Sequence, residues 1–347
     1  MSAPQSLAEP ATEPHPASPP VQMVQLLAGF QLSQALYAAA KLGVADQLRG
    51  ELKDATSVAA AVGAEAQSLR RLLRTLASIG VFTETEDGRF GLTPLGETLT
   101  TDSPASMRDL AIMWMETHYG PFGGLLDTVR TGRCAATEFY GQPFFSWLSD
   151  QPEQIARFSG AMANLTDGIK LGAISSFDFT GAGRIVDIGG ADGAVLAHIL
   201  AAAPETTGVI FDLPHVVAEA EPRLARYGLG DRLTAAAGDF FAAVPGDADT
   251  YLLSMILHDW SDTEASRLLA SIRAAAPAGA QLLAFELVAP DGAEPHMAKM
   301  IDLTMLGMLS GRERTQAEYR LLLEQAGFAF DAVTATPTPI SIVRALA

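Results

Sequence analysis

The chain of 347 residues contains a single cysteine, Cys134. That excludes an internal disulfide framework and a thiolate metal cluster, and a reducing cytoplasm is the natural setting. Positive charge is also scarce. There are 23 Lys and Arg against 40 Asp and Glu, a formal net charge of -17. Such a balance argues against a nucleic-acid-binding surface. The first positive side chain is Lys41, and no apolar run before it could serve as a signal peptide. No stretch reaches the length of a membrane span without a charge or a breaker. There is no H-x-x-H or C-x-x-C pair and no carboxylate-rich cluster of the kind that chelates Mg²⁺, so no metal is expected.

What is present is apolar bulk. Hydrophobic residues make up 48% of the chain, ample for a large core, and the length favours two domains. Residues 1–20 hold six prolines among Ala, Glu and Ser and read as a disordered tail. Residues 21–48 have strong helical periodicity, broken at Gly43. So apolar a helix needs a partner, and a second subunit is a reasonable one. Thr56-Ser57 then starts a short helix over 58–62, Gly63 turns the chain, and a longer helix runs over 66–79. In the longer helix Leu69, Leu72, Leu73 and Leu76 face inward and Arg70, Arg71 and Arg74 outward. A hairpin follows, 81–84 and 89–92, around Asp87-Gly88. Helix, turn, helix, hairpin is a winged-helix arrangement over residues 21–103. It is either a DNA-binding module or an architectural domain that packs on a partner; three arginines count for little against the net charge. Residues 104–175 read as a helical linker rich in Met, Phe and Trp. Such a stripe is commonly core, but its place between two domains favours a pocket.

From residue 176 strands and helices alternate. Strands are expected at 184–187, 207–212, 232–236, 249–256 and 280–287, with helices near 194–203, 214–227 and 262–276. This predicts an α/β fold with a doubly wound, mostly parallel sheet. Residues 328–336 and 340–346 form a closing hairpin, so an antiparallel strand lies inside or beside the parallel set.

In such a sheet the ligand sits at the carboxyl ends of the strands. Polar residues fall at each of those ends. Asp187, Gly189, Gly190 and Gly193 follow the first strand and Asp212-Leu213 the second. Asp239-Phe240 follow the third. Ser254, His258 and Asp259 close the fourth, and Glu286 the fifth. Each has a bland alternative, such as a helix cap for Asp212, core packing for Phe240 or a quiet backbone bond for His258, but five coincidences are hard to dismiss. The turn is G-G-A-D-G, not G-x-G-x-x-G, and Asp192 puts negative charge where a pyrophosphate would lie. That disfavours a dinucleotide and suits a cationic nucleoside, S-adenosyl-L-methionine. Asp212 would take the ribose, and Asp239 and Phe240 the adenine.

On these residues the chain resembles the S-adenosylmethionine-dependent O-methyltransferases of the plant caffeic acid type and their bacterial secondary-metabolite relatives. The matching pieces are Val186-Asp187-Ile188-Gly189-Gly190, Phe211-Asp212-Leu213-Pro214, Gly238-Asp239-Phe240-Phe241, Leu257-His258-Asp259-Trp260-Ser261-Asp262 and Glu313-Arg314-Thr315. The resemblance implies a Rossmann-like methyltransferase domain over 176–347 and a homodimer built through the N-terminal winged-helix domain, with no nucleic acid or membrane partner. It implies His258 as general base, flanked by Glu286 and Glu313, and S-adenosyl-L-homocysteine as product. Met162 is placed near the acceptor and the sulfonium. Trp114, Phe158, Met305 and Asp259 are the other candidates for acceptor contact, with the acceptor pocket shaped by 104–175 and 297–312. Ala191 stands where the family has a third glycine, and Ser254 where plant members often carry a lysine.

The chemistry agrees with those roles. A neutral phenol is a poor nucleophile, and a histidine can take its proton as the methyl transfers. A carboxylate beside the imidazole fixes its tautomer and stabilises the imidazolium. The acceptor is expected to be an aromatic secondary metabolite bearing a hydroxyl or carboxyl. Two other functions fit less of the sequence: a relative that hydroxylates or decarboxylates a polycyclic aromatic around the bound cofactor, and a ligand-sensing winged-helix regulator.

Overall fold

The computed structural model describes residues 18–347. They divide into two compact units, one ending at Thr93 and one beginning at Pro94. Residues 1–17 of the expected tail lie outside the described residues. The tail's last two residues already belong to a helix, because Pro19 opens Pro19–Leu27 at a position where its missing N–H is no loss.

The helical stretch expected over 21–48, with its break at Gly43, is three helices, Pro19–Leu27, Gly29–Leu42 and Val44–Gln47, with a further division at Ala28. Gly43 ends the second with a left-handed φ of 70°. The first leaves its apolar side in the open, with Leu26 75% and Leu27 68% exposed. The next helix is Ala55–Val62, not 58–62, since Asp54 caps it by accepting from the Ser57 N–H at 2.9 Å. Ala66–Ser78 buries Leu69, Leu73 and Leu76 and keeps Arg70, Arg71 and Arg74 outside. A three-stranded sheet completes this unit: β1 (Lys53–Asp54), β2 (Phe82–Glu84) and β3 (Arg89–Leu92), in the order β1-β3-β2. The hairpin follows the sequence expectation. The two-residue β1 is too short to leave a pattern.

The second unit opens with the short helix Pro94–Glu97 and continues with helices between Arg108 and Ile174. The sequence treated 104–175 as a linker, but these residues belong to the same compact unit as the large sheet. Two turns of π-helix interrupt them, Trp114–His118 and Thr166–Lys170. The sheet has seven strands: β4 (Arg184–Ile188), β5 (Thr207–Asp212), β6 (Leu233–Ala237), β7 (Thr250–Ser254), β8 (Gln281–Glu286), β9 (Ala329–Ala335) and β10 (Ser341–Leu346). Their order is β6-β5-β4-β7-β8-β10-β9. The first five are parallel, and β10 runs antiparallel between β8 and β9, with Ile342 opposite Phe285. β7 ends at Ser254, two residues before the expected 256, and the helix expected over 214–227 is α-helical only for Pro214–Ala220 before tightening into a 3₁₀ turn, Glu221–Tyr227.

Alternate residues of each strand feed two cores. Val186, Tyr251, Leu253, Leu282 and Val343 pack on the helices Asp262–Ala275 and Gln316–Gln325. Ile185, Ile210, Leu252, Leu283 and Ile342 pack on Ala194–Ala202 and Leu171–Ile174. Burial on both faces explains why these strands read as continuous apolar runs. The chain order reverses between β4 and β7, and that switch point is where an open sheet forms a crevice. Among the described residues no helix is long and apolar enough to cross a membrane.

Candidate active site at the sheet switch point

The turn after β4 alternates left-handed residues: Gly189 at φ 71°, Ala191 at 48° and Gly193 at 78°. Ala191 is therefore strained where glycine would be free. A Cβ on Gly190 would lie 2.9 Å from Asp187 Cγ, so only glycine lets the turn close over that carboxylate. The Ala191 and Leu213 N–H groups donate to Asp212 at 3.0 and 2.7 Å. Asp212 thus binds the glycine turn and does not cap the helix that follows; each of its oxygens keeps a further lone pair. Burial raises its pKa. Asp192 is not an open negative charge, as the sequence reading had it. It pairs with Arg226 at 2.7 Å and accepts from the Ala194 N–H, so its weight against a phosphate is reduced.

Asp187 is buried, and its Oδ2 has no partner. Burial pushes its pKa up to about 7, with the Lys170 ammonium pulling the other way. Ser254 Oγ is likewise buried without a partner. Asp239 accepts from the Phe241 N–H at 2.8 Å, and the half-buried Phe240 sits edge-on to Trp260 with centroids 5.8 Å apart. Phe240 therefore packs against the core and keeps part of its ring open. The orphaned acceptors and the glycine turn fit a nucleoside with positively charged groups.

Past β7 the chain makes a short turn, Leu257–Asp259, that carries His258. His258 Nδ1 lies 2.7 Å from Glu313 Oε1, and Nε2 lies 3.3 Å from Asp259 Oδ1. Asp259, expected at the acceptor, is therefore held by the histidine. The two expected flanking carboxylates behave differently. Glu286 accepts from the Ile256 and Leu257 N–H groups at 3.2 and 2.8 Å, so it fixes the backbone ahead of His258, while Glu313 bonds the ring. Burial works against charge on the imidazole, but Asp259, Glu313 and Glu286 outweigh it and raise the pKa to about 9. Burial pushes Glu286 up to about 7.

Glu313 is set by its own backbone, whose N–H donates to Asp302 at 2.9 Å. Its neighbour Arg314 is fully buried and donates to the Leu257 carbonyl (2.7 Å), the Trp260 carbonyl (2.8 Å) and Asp262 (2.9 Å). Gly311 lies so close that an added Cβ would sit 1.9 Å from the His258 carbonyl oxygen. The segment 311–314 and the histidine turn are thus packed backbone to backbone.

The acceptor candidates lie in the helical layer. Phe158 meets Phe144 at 6.2 Å, in a cluster with Tyr140, Trp147 and Met308. Met162 is half-buried one turn further along the helix Pro152–Leu165, and Met305 is buried in Met297–Met308. Trp114 is half-buried, 6.5 Å from the ring of His118. Sequence reasoning passed over Lys170, Asp302 and His118. His118 Nδ1 is 2.7 Å from Thr117 Oγ1, which itself donates to the Met113 carbonyl. The hydroxyl's one proton is committed, so Nδ1 carries the hydrogen and Nε2 a lone pair. Burial lowers the pKa of His118 to about 4, which keeps the ring neutral.

Residues 122–329 match the family model of an O-methyltransferase domain, and residues 24–102 match that of an O-methyltransferase dimerisation domain. The chain is similar to a phenazine O-methyltransferase of Lysobacter antibioticus, 43% identical over 323 residues that cover 93% of this chain and 95% of that one. It is similar to an O-demethylpuromycin-O-methyltransferase of Streptomyces alboniger, 38% identical over 93% of this chain and 88% of that one. Among solved structures, human N-acetylserotonin methyltransferase in complex with S-adenosylmethionine superposes with a TM-score of 0.87 at 29% identity, covering 97% and 99% of the two chains.

Proposed function

The chain belongs to the S-adenosylmethionine-dependent O-methyltransferases, and from that premise we propose that it methylates a hydroxyl or carboxyl oxygen of a small aromatic acceptor with His258 as general base. The observation that carries the base is the 2.7 Å contact between His258 Nδ1 and Glu313, at the end of β7 beside the glycine turn.

S-adenosylmethionine, when bound, supplies a methyl group made electrophilic by its sulfonium. Gly189, Gly190 and Asp187 would seat its methionyl part, Asp212 with Leu213 its ribose, Asp239 and Phe240 its adenine, and Ser254 a remaining polar edge. His258 then holds the acceptor through Nε2 and removes its proton, while Glu313 keeps Nδ1 protonated and balances the charge that forms. In the free protein the imidazole already carries a proton at neutral pH. Like-charge repulsion from a neighbouring sulfonium weakens that hold and readies the ring as a base. Asp259 must leave Nε2 for the acceptor to reach it. Trp114, Phe158, Met162 and Met305 would form an apolar, water-excluding wall around an aromatic ring.

We assign residues 21–103 to homodimerisation, 104–175 to the acceptor wall and 176–347 to cofactor binding and chemistry. The exposed apolar side of Pro19–Leu27 supports the first of these. The similarity to a phenazine O-methyltransferase and an O-demethylpuromycin-O-methyltransferase supports an acceptor that is a hydroxylated aromatic ring. Incubation with S-adenosylmethionine and a panel of hydroxylated phenazines, benzoates and naphthoates tests the reading by product mass. A gain of one methyl that falls at least tenfold in His258→Ala supports it. Turnover unchanged by the substitution removes the base, and an oxygenated or decarboxylated product moves the chain to the non-methylating branch.

A further inference from the structure

His118 closes the π-helical turn Trp114–His118, a widened turn of the kind that recurs at functional sites. Its ring stands edge-on to Phe144, with centroids 5.4 Å apart, and lies 6.5 Å from the ring of Trp114. Tyr140 pins the turn by donating its hydroxyl to the Thr117 carbonyl at 2.6 Å. Nδ1 is spent on Thr117, and Nε2 has no hydrogen-bond partner among the described residues. The imidazole is deep enough for burial to hold it neutral, yet part of the side chain remains open. A deep ring that is still partly open lines a cavity. What it turns to that cavity is a lone pair without positive charge.

One helix connects this ring to the chemistry. The end of Met297–Met308 packs on the His118 side: Met308 shares a cluster with Phe144, and a Cβ on Gly307 would lie 3.2 Å from Phe122 Cε2. Cys134 Sγ donates to the Gly307 carbonyl at 3.4 Å. Six residues before Met308, Asp302 accepts from the Glu313 N–H, and Glu313 bonds the His258 ring. Met305 lies midway, one turn from each. Six residues rise about 9 Å along a helix, so the anchors of the two histidines stand apart by the length of a fused ring system, not of one benzene ring. We propose that His118 Nε2 accepts a hydrogen bond from a second hydroxyl or N–H of the acceptor, at the end remote from the oxygen that is methylated, an assignment that rests on the His258 reading above. An acceptor without that donor leaves the lone pair unpaired, which is how a polar site rejects an analogue. A symmetrical fused diol should therefore stop at the monomethyl ether, because the first methylation removes the donor that the second would need.

The test measures kcat/KM by product mass on the full chain with 2,6-dihydroxynaphthalene, its monoether 6-methoxy-2-naphthol, and 2-naphthol, which lacks the second group altogether. The unaltered protein is expected to favour the diol about 10-fold over both others, beyond the statistical advantage of two equivalent hydroxyls and chiefly through KM. His118→Phe, which keeps the aromatic bulk, should bring the three within about twofold and leave the KM for S-adenosylmethionine unchanged. His118→Gln, whose amide oxygen can accept in place of Nε2, should restore part of the preference. A preference unchanged in His118→Phe would overturn the assignment, and so would an equal fall for all three acceptors, which marks a packing role. If 2-naphthol matched the diol in the unaltered protein, the monoether would be excluded by size and the lone pair would have no part, a comparison that holds even if a variant fails to fold. Methylation of none of the three by the unaltered protein would bring down the acceptor reading and this assignment together. That result is distinct from methylation of all three at equal rates, which sinks the role of His118 alone.

Discussion

Glu313 and Arg314, adjacent in sequence, hold the same histidine by different means: Glu313 bonds the His258 ring at 2.7 Å, and Arg314 bonds the carbonyl of Leu257 just before it at 2.7 Å. One residue sets the ring's protonation and the other sets where the ring stands. Glu313→Gln is therefore expected to slow turnover by about 10²-fold with little change in S-adenosylhomocysteine affinity. Steady-state kinetics beside calorimetry checks this, and equal losses in both would contradict it.

Arg314 answers to a stability measurement. Arg314→Met takes the guanidinium donor from the Trp260 carbonyl, leaves the Leu257 carbonyl only its long 3.4 Å bond from the Trp260 N–H, and removes one end of a half-exposed ion pair with Asp262. A loss of about 2–5 kcal/mol is expected in urea unfolding. A variant as stable as the parent would show that water or a shifted side chain replaces the guanidinium.

The protonation of His258 is open to direct observation. Its imidazole should titrate near 9 by NMR in the free protein. Bound S-adenosylmethionine, a cation, should lower that midpoint, and neutral S-adenosylhomocysteine should move it less. Glu313→Gln removes an anion and so should lower it too. A midpoint near the ordinary 6.5 in the free protein would mean that the carboxylates do not hold the ring as the distances imply.

Ala191 holds φ 48° in the cofactor turn. Ala191→Gly relieves that conformation, although glycine also loosens the unfolded chain, so a net gain of about 0.5–1 kcal/mol is expected. Chemical denaturation would detect it; a loss of stability would show that the methyl group packs usefully.

Leu26 and Leu27 are among the most exposed large apolar residues of those described. Replacing both with glutamate should convert a dimer to a monomer in sedimentation velocity. An unchanged sedimentation coefficient would place the interface elsewhere.

Much of this was legible in the sequence. The strand 207–212 is found where its apolar run placed it, and Asp212 at its end bonds the glycine turn that follows β4. Both follow from burial, which writes itself into composition. Features made by contacts distant in sequence were not legible. Nothing near Glu286 says that it would bond the backbone before His258 while Glu313 took the ring. The N-cap at Asp54 was hidden by Thr56-Ser57, which carry the same local signal. A π-turn adds one residue to a helix without altering its composition, so nothing in the sequence marked Thr166–Lys170. Asp192 looked like a lone charge because Arg226 lies 34 residues away.

Gly311 leaves no side chain between its own backbone and that of the His258 turn. Two stretches of main chain in direct contact move as a single piece. Fluctuation of the loop that bears Glu313 would carry the imidazole along with it, so the proton-holding pair keeps its spacing even while the entrance to the cleft breathes. A bulkier residue at 311 would uncouple the two, and the damage would register as a wandering base in a protein that still folds.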